Sequence, residues 1–402
     1  MRRTTGLLAA ALLVATLSTA GCGSDDGEPA DAPTIDINAL DFGPYSPEPH
    51  DMGLPKNMEA ARLMETQRLG NAVPLPSDVD PGFVHHAPLS AQSFITPEDS
   101  HVKSGGPDDP GQFRQAAPDL IGGFSTYARN DPYNQGMELA DTALLFPDEQ
   151  KATDAAAALE RSDFAANPKN QPVPVPGHPD AHAHWDPSVQ SIASWRAVGR
   201  IVVYTWIYDQ AKVYLEKVDL PALTTLLRKS LDTVVAPLSR YTPNPPDQLM
   251  SRPMDDENML RRTLIRPKED RDGSWLNPPG VYNAHAALHF SSDPVELGKA
   301  LDEAGVDKFA DYGSDMYRAR DARSADKLRD ELGAPTKNFR NAEPPANLPV
   351  AKCREYHGKE QMAFRYYCAV SRGRYAAQVS ADQLLDAQQR ISAQYAMLVK
   401  AE

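Results

Sequence analysis

Cysteine is scarce, three in 402 residues, which excludes a disulfide-dense scaffold and the multi-cysteine sites of structural zinc modules. Positive charge is also short: 41 Lys and Arg stand against 55 Asp and Glu, a formal charge of −14 with no basic cluster. Nucleic-acid binding rests on neutralising phosphates, so no nucleic acid is expected as a partner. Charge-driven docking on anionic lipid is excluded on the same ground. No G-x-S-x-G elbow, H-E-x-x-H pair, P-loop or G-x-G-x-x-G loop occurs. No catalytic, cofactor-binding or metal residue is therefore assigned, and no cofactor is implied. The apolar run Leu7 to Leu17 falls short of the about 20 residues that a bilayer-spanning helix needs.

That run follows Arg2-Arg3 and precedes Ser18-Thr19-Ala20-Gly21-Cys22, the layout of a secretory signal peptide. The expectation is a signal peptide over 1–21, cut before Cys22 as at a bacterial lipoprotein box, with Cys22 lipidated (palmitate among its acyl chains). The protein would then sit on the outer face of the cell membrane, in the cell envelope, with the acyl anchor as its membrane link. Thr19 stands where such boxes usually carry leucine. The alternative is ordinary cleavage after Ser18-Thr19-Ala20, which leaves Cys22 as a free thiol, a liability in an oxidising compartment. The other two cysteines, Cys353 and Cys368, are expected to form a disulfide between neighbouring antiparallel strands. Closing a loop of that size is worth about 3 kcal/mol in the chain-entropy model.

Residues 22–34 read as a lipid-anchored flexible stalk, acidic and small, with nothing to bury. Beyond it two halves repeat one order of elements. In the first, Met137 to Phe146 reads as a strand and Pro147-Asp148 opens a helix to about Glu160. A proline-rich loop then leads to His178-Pro179-Asp180-Ala181, and two strands hinge at Gly199. In the second, Asp315 to Tyr317 is a strand and Ala322 to Leu332 a helix. A proline-rich loop leads to Leu348-Pro349-Val350-Ala351, and two strands hinge at Gly373. Superposing the halves puts Ala155 on Ala325, Ala183 on Cys353 and Ser194 on Cys368. Each copy ends in a helix, one opening at Asp219-Leu220-Pro221 and ending near Pro237. The other is opened by Ser380-Ala381-Asp382-Gln383 as a capping box and carries a stripe of Leu384, Ala387, Ile391, Tyr395 and Leu398. The fold expected is α+β: two related domains, each a mostly antiparallel sheet with helices packed on one face. The N-terminal domain spans 35–241, a linker 242–279 and the C-terminal domain 280–402.

His178, Asp180, His182 and His184 form the one local constellation with metal-ligand character, since His182 and His184 share a strand face. They map onto Leu348, Val350, Lys352 and Arg354, ordinary strand and turn positions, and no fourth ligand stands at a recognisable spacing. His285 and His289 are read as structural, on one strand face. Asp255-Asp256-Glu257 lacks the alternating spacing of calcium ligands and reads as a solvated loop. Trp195, Tyr204 and Trp206 read as core.

Leu40-Asp41-Phe42-Gly43-Pro44-Tyr45, Glu65-Thr66-Gln67-Arg68, Pro176-Gly177-His178-Pro179, Ala287-Leu288-His289-Phe290, Gly373-Arg374-Tyr375 and Ala393-Gln394-Tyr395 together resemble a family of uncharacterised two-domain lipoproteins of mycobacteria, nocardiae and rhodococci. The resemblance implies an exported envelope protein and brings no catalytic residues. The strand-helix-loop-strand-strand-helix unit is also similar to small exported sensor-like domains of mycobacteria, a likeness of fold that does not imply function. Two functional classes follow. One is an envelope accessory protein that binds an envelope protein, a lipid or a small molecule. The other is a metal-dependent or unfamiliar hydrolase built on His178, Asp180, His182 and His184.

Overall fold

The central strand of the first half is apolar on both pleats. In Ile201–Asp209, Val202, Tyr204 and Trp206 point one way and Ile201, Val203 and Ile207 the other, and all are buried. Side chains alternate across a strand, so a strand apolar on both pleats must be covered on both. The computed structural model describes residues 35–86, 91–97, 110–133, 135–266, 278–359 and 364–402. The leader, the stalk and Cys22 lie outside the described residues.

The first sheet contains β1 (Ala91–Phe94), β2 (Gly122–Arg129), β3 (Met137–Leu145), β4 (Gln171–Pro172), β5 (His182–Asp186), β6 (Ser191–Val198) and β7 (Ile201–Asp209). Their order is β1-β2-β3-β7-β6-β5-β4, with every described pairing antiparallel. The second sheet contains β8 (Gly280–Asn283), β9 (Lys308–Asp311), β10 (Asp315–Arg318), β11 (Phe339–Ala342), β12 (Lys352–Tyr356), β13 (Tyr366–Arg372) and β14 (Tyr375–Ala381). It repeats the order as β8-β9-β10-β14-β13-β12-β11. Helices α1 (Met58–Gly70), α2 (Pro76–Val79), α3 (Pro110–Ala116), α4 (Glu149–Ala166), α5 (Gln210–Tyr214) and α6 (Leu220–Arg240) belong to the first half. The second half has α7 (Ala284–Ala287), α8 (Pro294–Ala304), α9 (Ala322–Leu332) and α10 (Leu384–Lys400).

The duplication extends to single hydrogen bonds. Gly199 and Gly373 occupy the first of two loop positions in the β6–β7 and β13–β14 hairpins, at φ of +55° and +53°. A positive φ at that position is what a type II′ hairpin turn asks of glycine. The arginine that follows pins the end of the third strand in each copy. Arg200 Nε donates to Phe146 O (3.0 Å) and Arg374 Nε to Ala319 O (3.1 Å). Phe146 N and Ala319 N donate back to the arginine carbonyls at 2.9 and 2.8 Å. Asp148 and Asp321 then cap α4 and α9, so Ala152, not Ala155, corresponds to Ala325. The expected superposition was one helical turn out at this point, because alanine-rich helices align equally well at several registers. Further along it holds: Cys353 lies opposite Cys368 at disulfide distance, and Ala183 lies opposite Ser194.

Helices cover both faces of each sheet rather than the single face expected. In the first half, Ala152, Ala155, Ala156 and Leu159 of α4 meet Val202, Tyr204 and Trp206. From the other side Leu223, Leu227, Leu231 and Val234 of α6 meet Ile201, Val203 and Ile207. Each fully buried side chain of this kind contributes about 1.5–3 kcal/mol. In the second half, α9 packs with Tyr317 and Ala376, and α10 with Cys368, Val370, Ala377 and Val379. The α6 face of the first sheet and the α9 face of the second belong to one continuous apolar cluster. These are non-equivalent faces of the two copies, since α6 follows its sheet in the chain and α9 interrupts its own.

Three further readings change. Helix α6 continues through Pro237 to Arg240, because Leu238 is buried in the shared core. No capping box opens α10: Ser380 and Ala381 complete β14, and Gln383 precedes the helix without a side-chain cap. His285 and His289 lie on short helical turns rather than a strand.

Buried polar side chains fasten the first half internally and join it to the second. Glu65 on α1 accepts from Asn244 N (2.8 Å), Asn244 Nδ2 (2.7 Å) and Tyr241 Oη (3.1 Å). Gln67 donates to the carbonyls of Pro278 and Pro279. His289 of the second half is bonded through Nδ1 to Thr126 Oγ1 (2.9 Å) and through Nε2 to Val73 O (3.0 Å). The carbonyl can only accept, so Nε2 carries the proton and Nδ1 accepts from the threonine. Residues 35–52 precede the first half yet lie against the second. Leu40 is buried beside α10, Tyr45 bonds to Asp386, and Gln389 Nε2 donates to Asp41 (2.9 Å). A Cβ on Gly43, at φ +51°, would collide with Gln389.

Burial drives the His289 pKa down to about 3. A histidine with a depressed folded-state pKa contributes stability that is present above its unfolded value near 6.5 and lost as pH falls below it. Urea unfolding between neutral pH and pH about 4 should therefore show a loss of order 3 kcal/mol from this group. His289→Gln should flatten that part of the profile, and a variant with the parent's acid dependence would contradict the assignment.

Candidate functional site

The hairpin end of the first sheet combines an open groove with an apolar rim. The β2–β3 hairpin is closed by Asn130, whose side chain accepts from Met137 N at 2.7 Å. Beside it β7 runs into α5, and Asp219 then caps α6 by accepting from Ala222 N at 3.2 Å. Between the hairpin, the residues after α2 and the first turns of α6 lies a groove of about 410 Å³. Phe83, Met137 and Leu226 form its apolar floor, and Lys229 pairs with Asp80 across its rim at 3.2 Å. Around the same end Tyr133, Tyr214, Leu215 and Val218 stand 60–76 % exposed. Large apolar side chains gathered at one place on a surface mark an interaction site more often than scattered ones do.

Nothing local announced this groove. Its walls come from three separated stretches of chain, and each piece reads alone as a turn or a helix start.

The histidines singled out in the sequence are divided between the two faces of the sheet. His178 is buried on the α6 face, with Nε2 on Asp232 Oδ1 (2.8 Å) and Nδ1 on Arg196. A guanidinium can only donate, so His178 Nδ1 accepts from Arg196 and its Nε2–H donates to Asp232. His184 is buried on the α4 face, 3.6 Å from Asp163 and edge-on to Phe164. Burial pushes its pKa down to about 4 and keeps it neutral. Asp180 and His182 are exposed. The four residues are therefore not brought together. Among the described residues no group of three or more His, Cys, Asp or Glu is placed to hold a metal ion.

The remaining expectations have clear positions. Asp255 accepts from Leu260 N and Arg261 N at 2.7 and 2.8 Å, while Asp256 and Glu257 pair with Lys308 and Arg318. The acidic run is thus consumed in turn-capping and surface pairing. Trp195 and Tyr204 are core, their rings tilted by 34° with centroids 4.2 Å apart, and Trp195 Nε1 donates to Asp163 at 2.7 Å. Among the described residues no helix is long and apolar enough to cross a membrane.

Two family models match, the N-terminal domain of unknown function DUF7373 over residues 52–254 and its C-terminal counterpart over 259–401. The chain belongs to the DUF7373 family. Searches of curated proteins and of solved structures returned no match. Family membership thus accounts for both halves and carries no activity with it.

The two kinds of histidine should behave differently on truncation. His178→Ala leaves Arg196 and Asp232 without their shared partner and should cost about 1–3 kcal/mol in denaturant unfolding. His182→Ala, on an exposed position, should stay within about 0.5 kcal/mol of the parent. Equal losses would contradict the division described.

Proposed function

We propose that this DUF7373 chain is an exported, lipid-anchored protein of the cell envelope that holds a small amphipathic ligand in the groove at the hairpin end of the first sheet. The groove carries the reading. Its volume falls within the about 300–1,000 Å³ of small-molecule sites, which are mostly apolar with a few placed polar groups. An acyl or other apolar portion would lie on Phe83, Met137 and Leu226, and a polar end would meet the Asp80–Lys229 pair. The leader pattern ending in Cys22 and the cysteine pair in the second sheet support export to an oxidising compartment. The resemblance to lipoproteins of mycobacteria, nocardiae and rhodococci points the same way. No geometry favours the histidine-centred hydrolase, whose residues occupy different faces.

Two measurements test this. Mass spectrometry of the mature N-terminus from a native host should find acylated Cys22, and Cys22→Ser should move the protein from the membrane fraction to the medium. A soluble parent chain beginning elsewhere would contradict the anchor. For the groove, Thr225→Trp places an indole at its lip from an exposed helix position. It should abolish binding of a fluorescent fatty-acyl probe while leaving Tm unchanged. Undiminished probe binding would remove the groove from consideration.

A further inference from the structure

Three stretches of chain meet at the hairpin end of the first sheet, and each carries bare apolar side chains. The β5–β6 loop has Val189, the β2–β3 loop Tyr133, and the run from the end of α5 to α6 has Tyr214, Leu215 and Val218. Hydrogen bonds gather them. Gln210 N donates to Gly136 O (3.1 Å) and Asp209 N to Gln190 O (3.0 Å). Asp219 N donates to Gln190 Oε1 (3.0 Å), and Gln190 Nε2 to Pro187 O (2.6 Å). Gln190 (φ +49°) and Glu216 (φ +52°) hold a backbone conformation that residues other than glycine seldom adopt. The tips are thus specifically shaped, yet all five apolar side chains are at least 43 % exposed. Little net charge accompanies them. Lys212 pairs with Asp219 at 2.8 Å, Glu216 and Lys217 offset each other, and the Asp131 carboxylate accepts from Tyr133 N and Gln135 N.

Exposed apolar side chains gathered in this way mark an interaction surface. Five side chains on three tips are few for a protein partner, since a standard interface takes about 20–30 residues a side. Shallow insertion into lipid needs only the tips, and tyrosine, with an apolar ring and a polar hydroxyl, suits a bilayer surface. Residues 22–34 join the acyl anchor of the proposed function to the fold, and a chain of that length spans at most about 45 Å. A folded body of residues 35–402 has a radius of gyration of about 21 Å. The anchor therefore keeps the fold within about one molecular diameter of the bilayer. We propose that Tyr133, Val189, Tyr214, Leu215 and Val218 insert into the surface of the bilayer that carries the anchor, and so present the groove beside them to membrane lipid. The inference rests on the lipid-anchored reading and adds a second, non-covalent contact with the same membrane. The attraction is apolar, in keeping with a chain of formal charge −14. Each tip binds weakly, and the tether supplies the effective concentration that makes the contact count.

The unacylated Cys22→Ser chain, mixed with vesicles of pure phosphatidylcholine, tests this contact without anchor or net lipid charge. It should co-sediment at millimolar lipid, equally at about 0.1 M and about 1 M salt, because exposed charge contacts are screened at the higher value. Leu215→Asp should lower partition about tenfold or more, the worth of one buried leucine, with Tm unchanged. Leu215→Trp should keep partition, and brominated phosphatidylcholine should quench its added emission. Thr225→Trp should lose the fatty-acyl probe yet still bind vesicles, which separates the two readings. A parent that binds the probe and never partitions overturns the membrane contact alone; one that partitions and never binds the probe overturns the groove alone. Partition that falls with salt, or persists in Leu215→Asp, overturns the proposal. So does self-association of the parent abolished by Leu215→Asp, which would give the patch to a second copy.

Discussion

Each sheet is built on central strands that are apolar on both pleats, and the rest of the architecture answers the need to cover them twice. One helix per copy covers one face of its own sheet. The second cover differs between copies: α6 in the first half and α9 in the second belong to a common apolar cluster. The outer face of the second sheet takes α10, and the segment 35–52 then seals α10. Because the shared cluster takes non-equivalent faces of the two copies, the association is of the heterologous kind. Such a contact would in principle leave a free face at each end. Here the strap closes the α10 end, and α3 and α4 close the other.

Within that core the copies keep polar pins at matching places. Asp141 on β3 accepts from Thr205 and from Ser230 of α6 at 2.5 and 2.8 Å. Burial pushes its pKa up to about 6, with the two hydroxyls opposing the rise. In the second copy Ser314, just before β10, donates to Gln394 of α10 at 2.5 Å, and Gln394 also accepts from Leu264 N. A buried polar group without a partner is costly, so each pin fixes how its terminal helix sits on its sheet. The groove at the hairpin end is therefore carried by loops and a helix start on a firmly packed support, the usual arrangement for binding sites carried on loops.

Local features were legible in the sequence and long-range ones were not. Glycine hinges, apolar runs and the helix over Ala322–Leu332 are set by neighbours in the chain, which is why the duplication could be read and why Ala183 and Ser194 fell on the two cysteines. The covering of both faces was not legible from single strands, because a two-faced apolar run does not say which helix covers it. His285 and His289 looked like strand residues by alternation, yet their positions follow from partners over 160 residues away in the chain. The pieces that carry the family resemblance turn out to be fasteners. Asp41 and Tyr45 hold the strap, Glu65 ties α1 to Tyr241 and Asn244 at the end of the first half, Gln67 ties α1 to the second half, His178 links β6 to α6, His289 joins the halves and Gln394 pins α10. Their partners are distant in sequence, so each looked like an isolated packing or turn motif. The groove was hidden for the same reason.

The central claim is that the two halves share one core and open as one unit. Native-state hydrogen exchange at low denaturant tests it most directly. The amides of Leu223–Leu238 in α6 and of Ala325–Leu332 in α9 should exchange through a single opening, with the same free energy and the same denaturant dependence. If α9 exchanges at a clearly lower free energy than α6, with a smaller dependence on denaturant, the second half opens alone and the shared core is not what holds the molecule together.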